Sequence, residues 1–126
     1  MLSKNDIKRI IQESKNNIEN TTNLIFPKLD EIITEEMTKV ISRLCYFCEN
    51  TTDLKNQDLH IVLRLYNIEK KLQKEFPKAK ISFNVINDVI KRIVNEMNNQ
   101  GYTVFTSDNH AGFIILKICK WYPEEL

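Results

Sequence analysis

Cys45 and Cys48, separated by Tyr46 and Phe47, form the one short motif in this chain with a recognised chemistry. Two thiolates at that spacing can share a zinc ion or form a redox pair. A structural zinc takes four ligands, and the other candidates, Cys119, His60 and His110, are scattered without a second C-x-x-C or a closely spaced histidine pair. A thioredoxin-like site belongs at a strand-to-helix junction, whereas this motif ends a helical pattern. On a helix the two thiols lie near one face and act as small hydrophobes beside Leu44. Core packing is therefore the expectation, with zinc and redox chemistry as alternatives.

The densest basic run is Lys70, Lys71, Lys74, Lys78 and Lys80, partly balanced by Glu69 and Glu75. Clustered cations can hold phosphates, and with Lys91 and Arg92 these residues are the nucleic-acid candidates. Only Phe76 interleaves as a stacking platform would require, so an exposed solubilising face is favoured. Asp88 pairs most simply with Arg92 one helical turn on. Catalysis needs a nucleophile beside a base, paired carboxylates or a metal cage, and no residue nominates itself. His110 reads as a turn residue and His60 as a structural one. No catalytic, cofactor-binding or metal site is assigned.

The elements that must position these residues can be read from periodicity. Ser3 and Asp6 form a capping-box-like start, after which Ile7, Ile10, Ile11, Ser14, Ile18, Thr21 and Ile25 keep a helical phase along a narrow stripe. The phase resumes after Phe26 and Pro27 through Leu29, Ile32, Ile33, Met37, Val40, Ile41, Leu44 and Cys48. This gives two helices or one kinked helix, and the cost of an interior proline favours a break at Phe26 with Pro27 opening the second helix. Residues 49–57 form a polar loop. A strand is expected at 59–66 and a short helix over 67–76, although residues 58–66 also fit a helix.

The pattern is clearest at the end of the chain. Val85, Ile86, Val89, Ile90, Ile93, Val94 and Met97 define an amphipathic helix with Asn84 as N-cap, closed by Gly101 in a left-handed conformation. Two strands, 102–106 and 113–121, flank a turn over 107–112. The fold expected is α+β in the order α-α-β-(α)-α-β-β. It forms a single domain over 1–126, in which a helical arm (1–49) packs with a small antiparallel core (58–126).

A chain of 126 residues with 42% hydrophobic content can bury its own core without disulfides or metal. Its 18 basic and 17 acidic residues give a net charge of +1, which exerts no global pull on nucleic acid or an anionic membrane. Three cysteines fit a reducing compartment, and two glycines leave little room for a phosphate-cradling loop. The first residues lack the apolar run of a secretory leader, and no segment has the length of a membrane span. The expectation is a soluble protein of the cytoplasm, with no cofactor and no membrane partner.

If Ile114, Leu116 and Ile118 face the core, then Phe113, Ile115, Cys119 and Trp121 face the other way. A sheet apolar on both sides needs cover on both. The helical arm can supply one cover. Otherwise Phe113, Ile115, Trp121 and Tyr122 are candidates for an oligomer or partner interface.

Gly101, Tyr102, Val104, Ile114, Leu116, Ile118 and Trp121, in this element order over about the last 70 residues, resemble small single-domain proteins of tailed phages and large DNA viruses. Many of those are virion or accessory proteins. The resemblance implies an interaction or assembly role, in the cytoplasm of a host cell or in a virion, and carries over no functional residue. Two functional expectations follow. The first is a non-enzymatic protein that self-associates or binds another protein. The alternative is a winged-helix nucleic-acid binder, because a helix running straight into a hairpin is also how a recognition helix meets its wing.

Overall fold

A computed structural model describes residues 1–109 and 111–124. The fold is α+β, with elements α1 (Lys4–Phe47), α2 (Thr51–Lys55), β1 (Leu59–Arg64), α3 (Leu65–Glu75), α4 (Phe83–Asn99), β2 (Thr103–Asn109) and β3 (Phe113–Lys120). The strands form an antiparallel sheet in the order β1-β3-β2.

The break expected at Phe26 is absent: α1 is one helix of 44 residues with Pro27 inside it. Pro27 and Asn23 are both exposed, so the carbonyl that loses its partner four residues back lies at the solvent side. Ile25 and Leu29, both fully buried, fix the backbone on either side. Packing thus outweighs the local cost of the proline. The capping box at the helix start is formed, with Asp6 N–H donating to Ser3 Oγ (3.1 Å) and Ser3 N–H to Asp6 Oδ2 (3.0 Å).

Inside the expected loop, α2 is a single short helix capped by the Asn50 side chain. The expected strand at 59–66 ends two residues early, and α3 begins at Leu65 rather than residue 67. Leu65, Ile68 and Leu72 then share the buried face of α3, a helical spacing that outcompetes the alternation by Leu65. The α4 cap is Ser82, not Asn84: Val85 N–H donates to Ser82 Oγ (3.3 Å).

Gly101 ends α4 as expected, with φ +102°. Gly101 N–H donates to the Asn98 carbonyl (3.2 Å) and Tyr102 N–H to the Met97 carbonyl (3.1 Å). That is a Schellman closure, which requires the left-handed residue. The Asn98 side chain clamps β2 through Val104, accepting its N–H at 2.9 Å and donating to its carbonyl at 3.4 Å. Gln73 Nε2 fastens the α3–α4 connection by donating to the carbonyls of Phe76 (3.2 Å) and Ala79 (3.0 Å).

The core is one continuous apolar cluster. Leu59, Ile61 and Leu63 of β1, Val104 of β2, and Ile114, Leu116 and Ile118 of β3 point into it, meeting Ile25, Leu29, Ile32 and Ile33 of α1 and the apolar face of α4. Covering one face of the sheet in this way leaves its other face, and the first half of α1, outside the cluster.

Candidate interaction surfaces

The C-x-x-C lies where α1 ends. Cys45 is exposed, against the expectation of core packing, and Cys48 is the half-buried C-cap, its N–H donating to the Leu44 carbonyl at 2.9 Å. Cys119 sits half-buried on β3, and all three thiols are free. No group of three or more His, Cys, Asp or Glu side chains among the described residues is arranged to hold a metal ion. His60 projects from the exposed side of β1, whereas His110 and its expected turn role fall outside the described residues.

Four titratable groups among the described residues depart from their ordinary values, and none of them is buried. The Ser3 backbone and hydroxyl donors hold Asp6 below the usual carboxylate range. The Arg92 guanidinium does the same to Glu19, while Glu75 raises Lys28 and Glu19 raises Arg92. Each shift favours the charged form, the reverse of tuning a group to exchange protons near neutral pH.

These pairs fasten helices together. Arg92 makes a bidentate contact to Glu19 (3.3 and 3.0 Å) and also reaches Asp88 at 3.6 Å, tying α1 to α4. Lys28 bridges Glu75 (3.2 Å) and Glu31 (3.7 Å), tying α1 to α3. The expected Asp88–Arg92 pair is present, but the stronger contact comes from Glu19, 73 positions away. No local pattern could have indicated it.

The nucleic-acid candidates do not converge on one stripe. Lys71 and Lys74 border a groove shared with Lys28, Ile32, Glu35 and Glu75, and Lys78 and Lys80 border another beside Asn17, Ile18 and Thr21. Lys70 lies over the Tyr66 ring, 6.0 Å from its centroid. Lys91 is exposed on α4 among Asn84, Asp88, Asn95 and Glu96, a face of mixed charge.

The outer side of the sheet is formed by the alternate residues of each strand. Val62 pairs with Ile115, which pairs with Ser107; His60 pairs with Lys117, which pairs with Phe105. Val62 remains 50% exposed and Phe105 58%. Phe113 and Ile115 are half-buried, and the Arg64 guanidinium covers part of the Phe113 ring at 5.3 Å.

The other two interface candidates are engaged within the chain. Trp121 Nε1 donates to the Gln57 carbonyl at 2.7 Å and meets Tyr122 edge-on at 5.6 Å, and Lys55 lies over the Tyr122 ring at 5.5 Å. Val62 and Phe105 are absent from the interface expected from sequence. Their parity, opposite to that of the buried Ile61 and Val104, is legible in each strand; which strands they adjoin is not.

The first half of α1 is the second uncovered surface. Every residue from Ile7 to Asn20 is exposed, including Ile7 (44%), Ile11 (50%) and Ile18 (51%). Set at helical spacing, they extend the line that Ile25, Leu29 and Ile32 bury further along.

No helix among the described residues is long and apolar enough to cross a membrane. No family model, no curated protein and no solved structure matches this chain.

Proposed function

We propose that this chain is a non-enzymatic protein-protein interaction and assembly protein, working through the first half of α1 and the outer face of the sheet. One observation carries the reading: aliphatic and aromatic side chains about half exposed on two separate surfaces, the α1 stripe continuing a line that is fully buried further along the same helix, and Val62 and Phe105 standing on the sheet face opposite the core. A single exposed apolar residue needs no explanation, but an ordered row of them is a surface awaiting a partner. Two such surfaces on one chain allow assembly beyond a pair. The viral resemblance extends the reading to a virion or accessory component.

Light scattering at increasing concentration tests it. The wild-type chain should have a mass above that of one copy, reduced by Val62→Lys with Phe105→Lys or by a charge in the α1 stripe. A chain that stays monomeric at high concentration, with neither variant altering its behaviour, would remove the reading.

A second reading, a winged-helix nucleic-acid binder, is favoured by one specific observation. Apart from the short α2, the order α1-β1-α3-α4-β2-β3 with β3 between the other strands is that of a winged helix, a reading in which α4 would be the recognition helix and β2–β3 the wing. Exposed Asn84 and Asn95 suit base edges, and Lys91 suits a phosphate. Asp88 and Glu96 on the same face, and the engagement of Arg92 by Glu19, rank it second. Salt-sensitive retention on duplex DNA, lost on changing Lys91 and Arg92 to Gln, would put it first.

A further inference from the structure

We propose that the exposed half of α1 pairs with the same segment of a second copy in antiparallel sense, placing Ile7 of each copy beside Ile18 of the other. This deepens, and rests on, the interaction reading above. Ile7, Ile11, Ser14, Ile18 and Thr21 alternate in steps of four and three, the spacing of a two-helix seam, and Ile10 flanks it. The segment from Lys4 to Thr21 is about 27 Å long at helical rise. Ile7, Ile10, Ile11 and Ile18 are between 42% and 51% exposed. Pairing the segments of two copies along this length removes on the order of 1,000 Å² of surface, about the size at which an interface becomes specific.

The direction follows from where the body lies. The stripe continues the line of Ile25, Leu29 and Ile32, so it faces the side on which α1 carries its own core. A parallel partner packed on that stripe would have to run its residues after Thr21 through this core. In an antiparallel pair the residues after Thr21 of each copy instead lie beyond the Lys4 end of the other, so the two cores sit at opposite ends of the seam. In that sense Ile7 meets Ile18, and Ile11 meets Ser14, in successive layers of the seam.

The same geometry predicts a salt response. Lys8 and Lys15 lie on one flank of the stripe, and on the other Asp6 and Glu13 each stand 3.9 Å from Arg9. A two-fold antiparallel pair sets each flank against itself, so the lysines face one another and screening them tightens the pair. A parallel pair would set acid against base and weaken with salt.

Sedimentation and light scattering of the full chain test this directly. The expected result is association that falls on dilution, tightens several-fold between low and high salt, and is reduced in Ile11→Asp, with the thermal melt of that variant unchanged at concentrations where both chains are dissociated. Orientation is read in a background with Cys45, Cys48 and Cys119 changed to Ser: Ile7→Cys chains mixed with Ile18→Cys chains should form a mixed disulfide in preference to links between identical chains. If the triple-serine background does not fold, the salt response of the natural chain decides direction.

Preferential Ile7→Cys self-linking, or loosening with salt, would overturn the antiparallel pair. Association that survives Ile11→Asp but is lost with Val62→Lys and Phe105→Lys would overturn arm pairing and leave the interaction reading standing. A monomer indifferent to all these changes would remove both.

Discussion

The two halves of α1 have the same periodicity and opposite surroundings. Ile25, Leu29 and Ile33 in the second half are at most 1% exposed, whereas Ile7, Ile11 and Ile18 in the first are about half exposed. The spacing of the stripe does not change between them, although Ser14 and Thr21 thin it in the first half; what differs is the presence of α3, α4 and the sheet beneath the second. Periodicity therefore says which face of a helix seeks cover, but not what covers it.

The largest effect expected from breaking this comparison is in Leu29→Ala, which should destabilise the fold by about 2–5 kcal/mol in chemical denaturation, because the site is fully enclosed. Ile11→Ala should shift the same curve by roughly 0.5 kcal/mol or less at concentrations where the chain is dissociated. Equal losses at both sites would mean that the first half of α1 is covered within its own chain.

Pro27 lies near the junction of the halves, and Pro27→Ala should sharpen the contrast from the other side. Restoring the N–H toward the Asn23 carbonyl at an exposed position should stabilise α1 by on the order of 1–3 kcal/mol, read as a higher denaturation midpoint. No gain would mean that the helix has already adapted to the missing donor.

The smallest effect should be in pH. Asp6 and Glu19 both have carboxyls held below their ordinary range in the folded chain, by the Ser3 donors and by Arg92 respectively. A depressed carboxyl supports the fold above its unfolded value, and that support is lost as pH falls through the folded value. Acidification below the usual carboxylate range should therefore fray the first half of α1, seen as faster amide exchange around Ile7 and Ile18, before the core around Leu29 opens. Glu19→Gln should make that loss shallower. Simultaneous opening of both halves would contradict the division.

Local chemistry was enough to read the end of the chain. Gly101 closes α4 because a left-handed residue permits the Schellman bonds, and Ile114, Leu116 and Ile118 face inward because strand side chains alternate. It failed where a distant contact competed with it. Pro27 remains helical because the core holds both neighbours, and Arg92 turns to Glu19 because folding brings α1 beside α4. Among the interface candidates, Trp121 and Tyr122 are taken by Gln57 and Lys55, while Val62 and Phe105 stay open.

By itself the amino-acid order determined the kind of each main element, the faces that would be apolar and the α+β class, because these depend on the pitch of a helix, the alternation of a strand and the conformational freedom of glycine. Only the tertiary structure decided that α1 continues through its proline, which thiols are exposed, and which apolar rows are left without cover. Those outcomes depend on contacts between residues far apart in the chain, and a one-dimensional pattern records the demand for such contacts without recording whether they are met.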